Sequence, residues 1–399
     1  MENINTQNGV ILFTDLKDFT LKTSLLTQKQ IDNILDDQDK LMLLNLKKYS
    51  GIIIKTIGDS YMIFFDTPKN SLLFAIEIQK LLKEYNKDKR ISLHKIEIRI
   101  SINYGILNKK NTLNGHDFFG DSVNLASRVL SRTLENKIFI TDKLYDSLIN
   151  EGVNCRYDFL GKTTFKGILY EVGIYEAIYE EESMKLYDRG EYLRNNNSKT
   201  LEDEKTKLRC KNIDNIIFKS SAVNCAISIQ PIPFIDLYSS VTIYTFMLKN
   251  IANEYKIKLS RNQINEILLT ILSAIGSYIM INQTIQGISK IGLIGIAGFL
   301  FVPLNFGTTY GVGKVMNRYF YYKNNNLKLN NTEIKELFLS GKDFGVKYAK
   351  NNKKEIIKIG KKLKDDFLKF QKESKIELNK ISKEVEKEIK NLKNDQKKI

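Results

Sequence analysis

Proline and cysteine are scarce in this chain. Four prolines and 22 glycines among 399 residues exclude a collagen-like repeat and a proline-rich disordered chain. The three cysteines, Cys155, Cys210 and Cys225, are odd in number and lack CxxC spacing. That argues against a disulfide framework or a zinc ribbon and fits a reducing cytosol. The first thirty residues hold no basic segment followed by an apolar stretch, so no secretory signal is read and the N-terminal part is expected in the cytoplasm. A basic excess is also missing from that part. The formal net charge is +16, yet residues 1–180 carry 24 Lys and Arg against 23 Asp and Glu. The N-terminal region therefore lacks the footprint of a nucleic-acid binder, and nucleic acid is not an expected partner. The excess sits in residues 314–399, with 24 basic against 12 acidic side chains.

What is present is enough apolar material for a sizeable core, 42% of residues, in a chain long enough for two or three domains. Residues 1–180 alternate short β-branched runs with amphipathic stretches, the pattern of a mixed α/β domain. Gly9–Leu16 reads as a buried strand and Thr27–Tyr49 as a helix. GIIIKTI, a tight Gly58-Asp59 turn and SYMIFF read as a hairpin. A helix runs from Pro68 and Asn70 to about Tyr85; KIEIRISINYG is a strand and Gly120–Leu134 a helix. A charged, Asn-rich linker occupies 181–215, a hydrophobic helical domain 216–322, and a Lys-rich amphipathic helical tail 323–399. In the tail, Ile356, Ile359, Leu363, Phe367 and Phe370 recur at helical spacing.

Chemistry is concentrated in two groups. Asp15 ends the first strand and Asp59 lies in the hairpin turn, so the two carboxylates come to neighbouring strand ends. Such a pair suits hard divalent cations that bridge carboxylates to phosphates. Taken alone, each aspartate reads as a strand cap or Asx-turn. Lys55 precedes the same turn, and alone it reads as a solvated strand lysine. The second group is Asp117, Asn124 and Arg128; the last two are i and i+4 on one helix face. An arginine there can reach phosphate oxygens and an asparagine a sugar oxygen. Each also reads separately as a surface polar residue or cap.

FTDLKDFT, IKTIGDSYMIFF and GHDFFGDSVNLASR resemble the three signature segments of the class III nucleotidyl cyclase family, and FKGI and VGIYEAIY resemble its closing strands. The resemblance covers residues 8–179. It implies a ferredoxin-like α/β (α+β) domain with a mixed sheet and flanking helices. It implies that Asp15 and Asp59 bind two Mg²⁺ or Mn²⁺ ions per site, that Lys55 and Asp117 select adenine, and that Asn124 and Arg128 stabilise the transition state. Lys166 in FKGI is a candidate for the polyphosphate, or a strand-end lysine. It further implies ATP as substrate, a homodimer and a shared site in which one subunit supplies the metal and base-selecting groups and the other the Asn/Arg pair. The alternatives are a cyclase of another nucleoside triphosphate, such as GTP or a pyrimidine, and a nucleotide-binding regulator with little turnover. Departures from the family pattern are Asp18, where glycine is frequent, and Ser101 and Asn103, where glycine and histidine are.

ISIQPIPFIDLYSSVTIYTFMLKNIANEY and FLFVPLNFGTTYGVGKVMNRYF, within residues 221–322, look like a poorly characterised domain family of membrane-associated bacterial proteins, some beside GTPase domains. Ile267–Ser289 and Ile291–Gly313 are each 23 residues without a charged side chain, flanking Lys290. That length permits a spanning hairpin. Gly292, Gly295 and Gly298, with Gly307 and Gly311, offer small surfaces for close helix packing. Lysines and arginines at both ends place the termini in the cytoplasm. The expectation is membrane association through residues 267–313 and the basic tail, with the cyclase-like domain in the cytoplasm; a soluble helical domain that buries the hairpin is the alternative. Asp236 reads as a helix N-cap or turn, and Cys225 as a small buried residue.

Overall fold

The computed structural model describes residues 5–396 apart from 90, 113–114, 154, 169, 180–188, 229–234 and 293–300. Side chains are further left undescribed at 5, 112, 115, 189–203, 228, 235–238, 277, 279–292, 386 and 388–396. Two compact units result, one of Met1–Lys22 with Lys29–Thr206, the other of Thr23–Gln28 with Lys207–Ile399.

Among the described residues the first unit is built on eight strands: β1 (Asn5–Leu16), β2 (Ile52–Ile57), β3 (Ser60–Phe65), β4 (Ile98–Thr112), β5 (Gly115–Phe119), β6 (Ile138–Thr141), β7 (Arg156–Thr163) and β8 (Val172–Ile178). Their order is β2-β3-β1-β4-β6-β8-β7, and β5 pairs with the extended end of β4. The β4–β6 pair is parallel and every other pair antiparallel. Val10 to Phe13 of β1 are all buried, as a central strand covered on both faces requires. Alternate residues serve opposite faces. Ile11, Phe13, Met62 and Phe64 join Val123 and Ala126 in one cluster, and Leu125 and Val129 join Phe139, Leu160 and Ile174 in another.

Helices that lie wholly or partly in this unit include α1 (Phe19–Leu25), α2 (Gln28–Lys48), α3 (Pro68–Asn86), α4 (Asp121–Arg132) and α5 (Asp142–Asn150). Thr67 caps α3 by accepting from the Asn70 N–H, with Pro68 in the first turn. Helix α4 starts at Gly120, whose φ of 115° no L side chain adopts readily. The hairpin turn is two residues long. Gly58 has φ 64° and Asp59 is not left-handed, the glycine-first pattern that matches strand twist. These elements meet the sequence expectation of a mixed sheet with flanking helices. Three were not read: α1, α5 and β5, whose GHDFF sequence carries no strand alternation and which forms by pairing with β4.

Downstream the chain is helical: α6 (Arg189–Ser228), α7 (Ile235–Glu254), α8 (Arg261–Gly292), α9 (Val302–Asn324), α10 (Asn331–Asn351), α11 (Lys353–Glu373) and α12 (Lys375–Gln396). Helices α9 and α10 pack backbone to backbone. A Cβ added to Gly345 would lie 2.8 Å from the Gly307 Cα, and one on Gly341 3.0 Å from the Gly311 Cα. A capping box between Asn330 and Glu333 starts α10. Ile356 and Phe367 of the basic tail are buried, and Phe370 packs edge-on against Phe246 at 5.0 Å. Leu378, Ile381 and Val385 of α12 are buried, α12 lying against α7 and α8. Cys225 is buried, its Sγ donating to the Val302 carbonyl, and burial pushes its thiol pKa up. Among the described residues no helix is long and apolar enough to cross a membrane. Residues 277 and 279–300 of the hairpin expected around Lys290 lie outside the described side chains, as does Asp236.

Candidate active site

The corner of the site is made by strand pairing. Thr14 of β1 opposes Tyr61 of β3, which brings the turn before β3 beside the end of β1. The Leu16 N–H donates to Asp59 Oδ2 at 3.0 Å, and Ser60 Oγ donates to Asp15 Oδ1 at 2.7 Å. Directly opposite Asp15 on β4 stands Arg99, whose Nε donates to Asp15 Oδ2 at 2.7 Å with Nη2 at 2.6 Å from the same oxygen. Burial, and then the negative charge of Asp15, push the Asp59 carboxyl up to about 6. Two carboxylates are thus held close enough for one to resist ionisation.

The second pair comes from strands far apart in sequence. Lys55 on β2 donates from Nζ to both oxygens of Asp117 on β5, at 2.9 and 2.7 Å. Asp117 Oδ1 also accepts from the Phe118 N–H at 2.8 Å. Both side chains keep a third or more of their surface, 40% for Lys55 and 33% for Asp117, so the pair is open to a ligand.

Asn124 and Arg128 stand on α4, Asn124 exposed and Arg128 half-buried. A Cβ placed on Gly167 would come 3.8 Å from Arg128 Nη2, so the guanidinium lies beside the turn that carries the exposed Lys166. The structure therefore joins Asp15 with Asp59, Lys55 with Asp117, and Arg128 with the Lys166–Gly167 turn. Among the described residues no hydrogen bond or ion pair links Asn124 or Arg128 to the first four.

Asp18 adopts φ 55°, the left-handed region that explains why glycine would suit this position and why aspartate is tolerated there. Its carbonyl accepts the Lys22 N–H at 2.8 Å, opening α1. Lys22 is buried, its ammonium donating to the carbonyls of Ser92, Leu93 and Lys95 at 3.2, 2.9 and 3.0 Å. Burial lowers its pKa to about 8 against the raising effect of Glu97 and Asp18. Sequence reasoning missed Arg99, Ser60 and Lys22. Arg99 had a signal: an arginine inside a buried β-branched strand needs a charged partner, and Asp15 was the unpaired one.

The donor set at this corner fits a divalent cation. Asp15 and Asp59 offer hard oxygens whose mutual repulsion a cation relieves. No cluster of three or more His, Cys, Asp or Glu occurs among the described residues, so further ligands would come from a polyphosphate or water.

Comparison with known proteins bears on this geometry. Residues 1–176 match the family described as the adenylate and guanylate cyclase catalytic domain. Residues 1–176 carry a nucleotide cyclase catalytic domain. An adenylate cyclase of Anabaena cylindrica is 28% identical over 157 residues, covering 36% of this chain and 31% of its own. The receptor-type guanylate cyclase gcy-13 of Caenorhabditis elegans is 26% identical over 174 residues, covering 40% and 17%. The crystal structure of the adenylyl cyclase CyaB from P. aeruginosa aligns over 44% of this chain and 96% of its own at 24% identity, with a TM-score of 0.38. The chain spans about a third or less of the length of the curated relatives it matches, from 12% to 33% in the first of them. The cyclase domain thus has relatives named for adenylate and for guanylate.

Proposed function

We propose that the cyclase domain converts ATP to 3′,5′-cyclic AMP and diphosphate at a site completed by a second copy of the chain. The observation that carries the choice of base is the Lys55–Asp117 pair. An ammonium donor and a carboxylate acceptor side by side complement the N1 acceptor and N6 donor of adenine, whereas guanine presents the opposite pattern at that edge. The partial exposure of both groups lets them exchange each other for the base.

Asp15 and Asp59 would hold Mg²⁺ or Mn²⁺, which when bound neutralises the polyphosphate and eases deprotonation of the ribose 3′-hydroxyl. The 3′-oxygen forms a bond to the α-phosphorus, the bond to the bridging oxygen breaks, diphosphate leaves and the hydroxyl proton passes to water. Arg128 opposes the negative charge that grows on the α-phosphoryl oxygens, and Asn124 orients the ribose. Lys166, exposed next to Arg128, can meet the departing diphosphate.

Among the described residues Asn124 and Arg128 make no hydrogen bond or ion pair with the other four, which leaves them available to a site shared between copies. Exposed apolar side chains on the cyclase domain support a second copy covering them: Ile57 on β2 is 62% exposed and Ile106 on β4 65%. The decisive experiment incubates the full chain with each of the four nucleoside triphosphates and Mn²⁺ and identifies products by mass. Cyclic AMP as the dominant product supports the reading; dominance of another cyclic nucleotide, or none, overturns it. We further propose that the tail contacts anionic lipid, a role supported by the exposed Lys354, Lys358, Lys361, Lys362, Lys369 and Lys372 on α11. Fractionation with high-salt and carbonate washes separates peripheral attachment, released by the washes, from a spanning hairpin, retained through them.

A further inference from the structure

We propose that Ser101 and Asn103 are positioning residues that brace helix α4, fixing the side chains of Asn124 and Arg128 through the helix backbone. Both lie on β4, two residues apart and so on one face of the sheet. Ser101 is fully buried and Asn103 is 2% exposed. Ser101 Oγ donates to the Ala126 carbonyl at 2.8 Å, and Asn103 Nδ2 donates to the Ser122 carbonyl at 2.8 Å. Asn103 is held in its turn, its Oδ1 accepting from Thr141 Oγ1 at 2.7 Å. Gly105 continues the row, since a Cβ there would meet Ser122 Oγ at 2.5 Å.

The geometry of an α-helix gives these contacts their meaning. Residues 122 and 126 are one turn apart and share a face. Asn124 and Arg128 are each two residues further on, about 200° round the axis, and project from the opposite side. The sheet therefore grips the back of the helix at the two levels from which Asn124 and Arg128 leave its front. Apolar packing of Val123, Leu125, Ala126 and Val129 holds α4 without directional contacts. Two buried hydrogen bonds to defined carbonyls set its height and rotation.

That the front face is catalytic rests on the function proposed above, so the experiment has one arm independent of activity. In the full chain carrying Ser101→Ala and Asn103→Leu, amide hydrogen exchange over residues 121–132 should quicken about tenfold or more while β1 keeps its protection. Unchanged exchange over 121–132 overturns the brace. In the second arm, a chain with Asp15→Asn is mixed with a chain with Arg128→Ala, so the one complete site takes α4 from the first and the carboxylates from the second. The double substitution should lower turnover about tenfold when placed on the first chain and less than about twofold on the second. Equal losses on both, or none on the first, overturn the positioning role. A reference mixture without activity counts against the shared site, and the exchange arm then decides the brace. Should the double variant fail to fold, Ser101→Ala alone removes one bond with little change of volume, and the same outcomes apply.

Discussion

Buried charge is handled differently in the two halves of the molecule. In the helical unit Arg318 and Lys249 are paired internally. Arg318 is 2% exposed and donates from Nη1 to Tyr322 Oη, which donates to Glu333 Oε1. Lys249 meets Glu377 of the tail at 2.9 Å. In the cyclase domain Lys137 and Glu176 pair in the same way, at 2.6 Å, but three of the groups at the candidate site are left costly or open. Asp59 is pushed up to about 6 by burial and by Asp15, and Lys55 and Asp117 remain partly solvated although paired. A closed network needs no visitor, whereas a carboxyl that resists ionisation beside another is poised for a cation.

The sharpest way to break the contrast is at the carboxylates. Asp15→Asn or Asp59→Asn should lower cyclic nucleotide formation by more than about 10²-fold, because each removes charge from the centre that opposes the polyphosphate. Turnover near the unsubstituted level, measured after contaminating cyclase is excluded, would place the chemistry elsewhere. A somewhat smaller effect is expected at the base-reading pair. Lys55→Glu with Asp117→Cys should reduce the preference for ATP by at least about tenfold in competition assays, and unchanged selectivity would mean the base is read by other groups.

In the helical unit the corresponding test is steric. Gly345→Ala puts a methyl group against the Gly307 backbone, so α9 and α10 must part, at a cost of about 1–3 kcal/mol in denaturant unfolding. The base preference of the folded protein should not change. An unaltered midpoint would show that the helix pair has slack.

The smallest effect tests the strain itself. With a carboxyl pKa raised in the folded state, Asp59 holds a proton where the unfolded chain has lost it. Its contribution to stability is therefore complete below about pH 4 and lost as the pH climbs through about 6. Metal-free protein should weaken across that window. Asp59→Asn should flatten the slope and be more stable than the unsubstituted chain at pH 7, by about 1–2 kcal/mol after screening by solvent. The same substitution would thus raise stability while abolishing turnover; a loss of stability at pH 7 would contradict the assignment of strain.

Much of the site was legible because the informative residues sit where local rules are strong. The Gly58-Asp59 turn, the strand ending at Leu16 and the helix bearing Asn124 and Arg128 each follow from short-range patterning, and the observed bounds lie within a few residues of those read. The Lys55–Asp117 contact spans 62 positions and came only from resemblance, since no local pattern pairs a β2 lysine with a residue on β5. Strand β5 itself went unread because it is stabilised by its partner rather than by its own alternation. Ser101 and Asn103 were seen only as departures. Their meaning depends on which carbonyls lie above β4, a tertiary fact that sequence periodicity does not carry.

One consequence of the β2–β3 turn concerns tolerance to change in length. Two residues span the hairpin, and the second is Asp59, fixed to the Leu16 N–H. Most surface loops absorb insertions cheaply, because closure entropy grows slowly with length. Here an inserted residue would either displace the carboxylate from Asp15 or shift every later side chain of β3 to the other face of the sheet. In a deep insertion and deletion scan, residues 57–60 should therefore behave as a rigid ruler between two strands, intolerant of any change in count even where single substitutions at Gly58 survive.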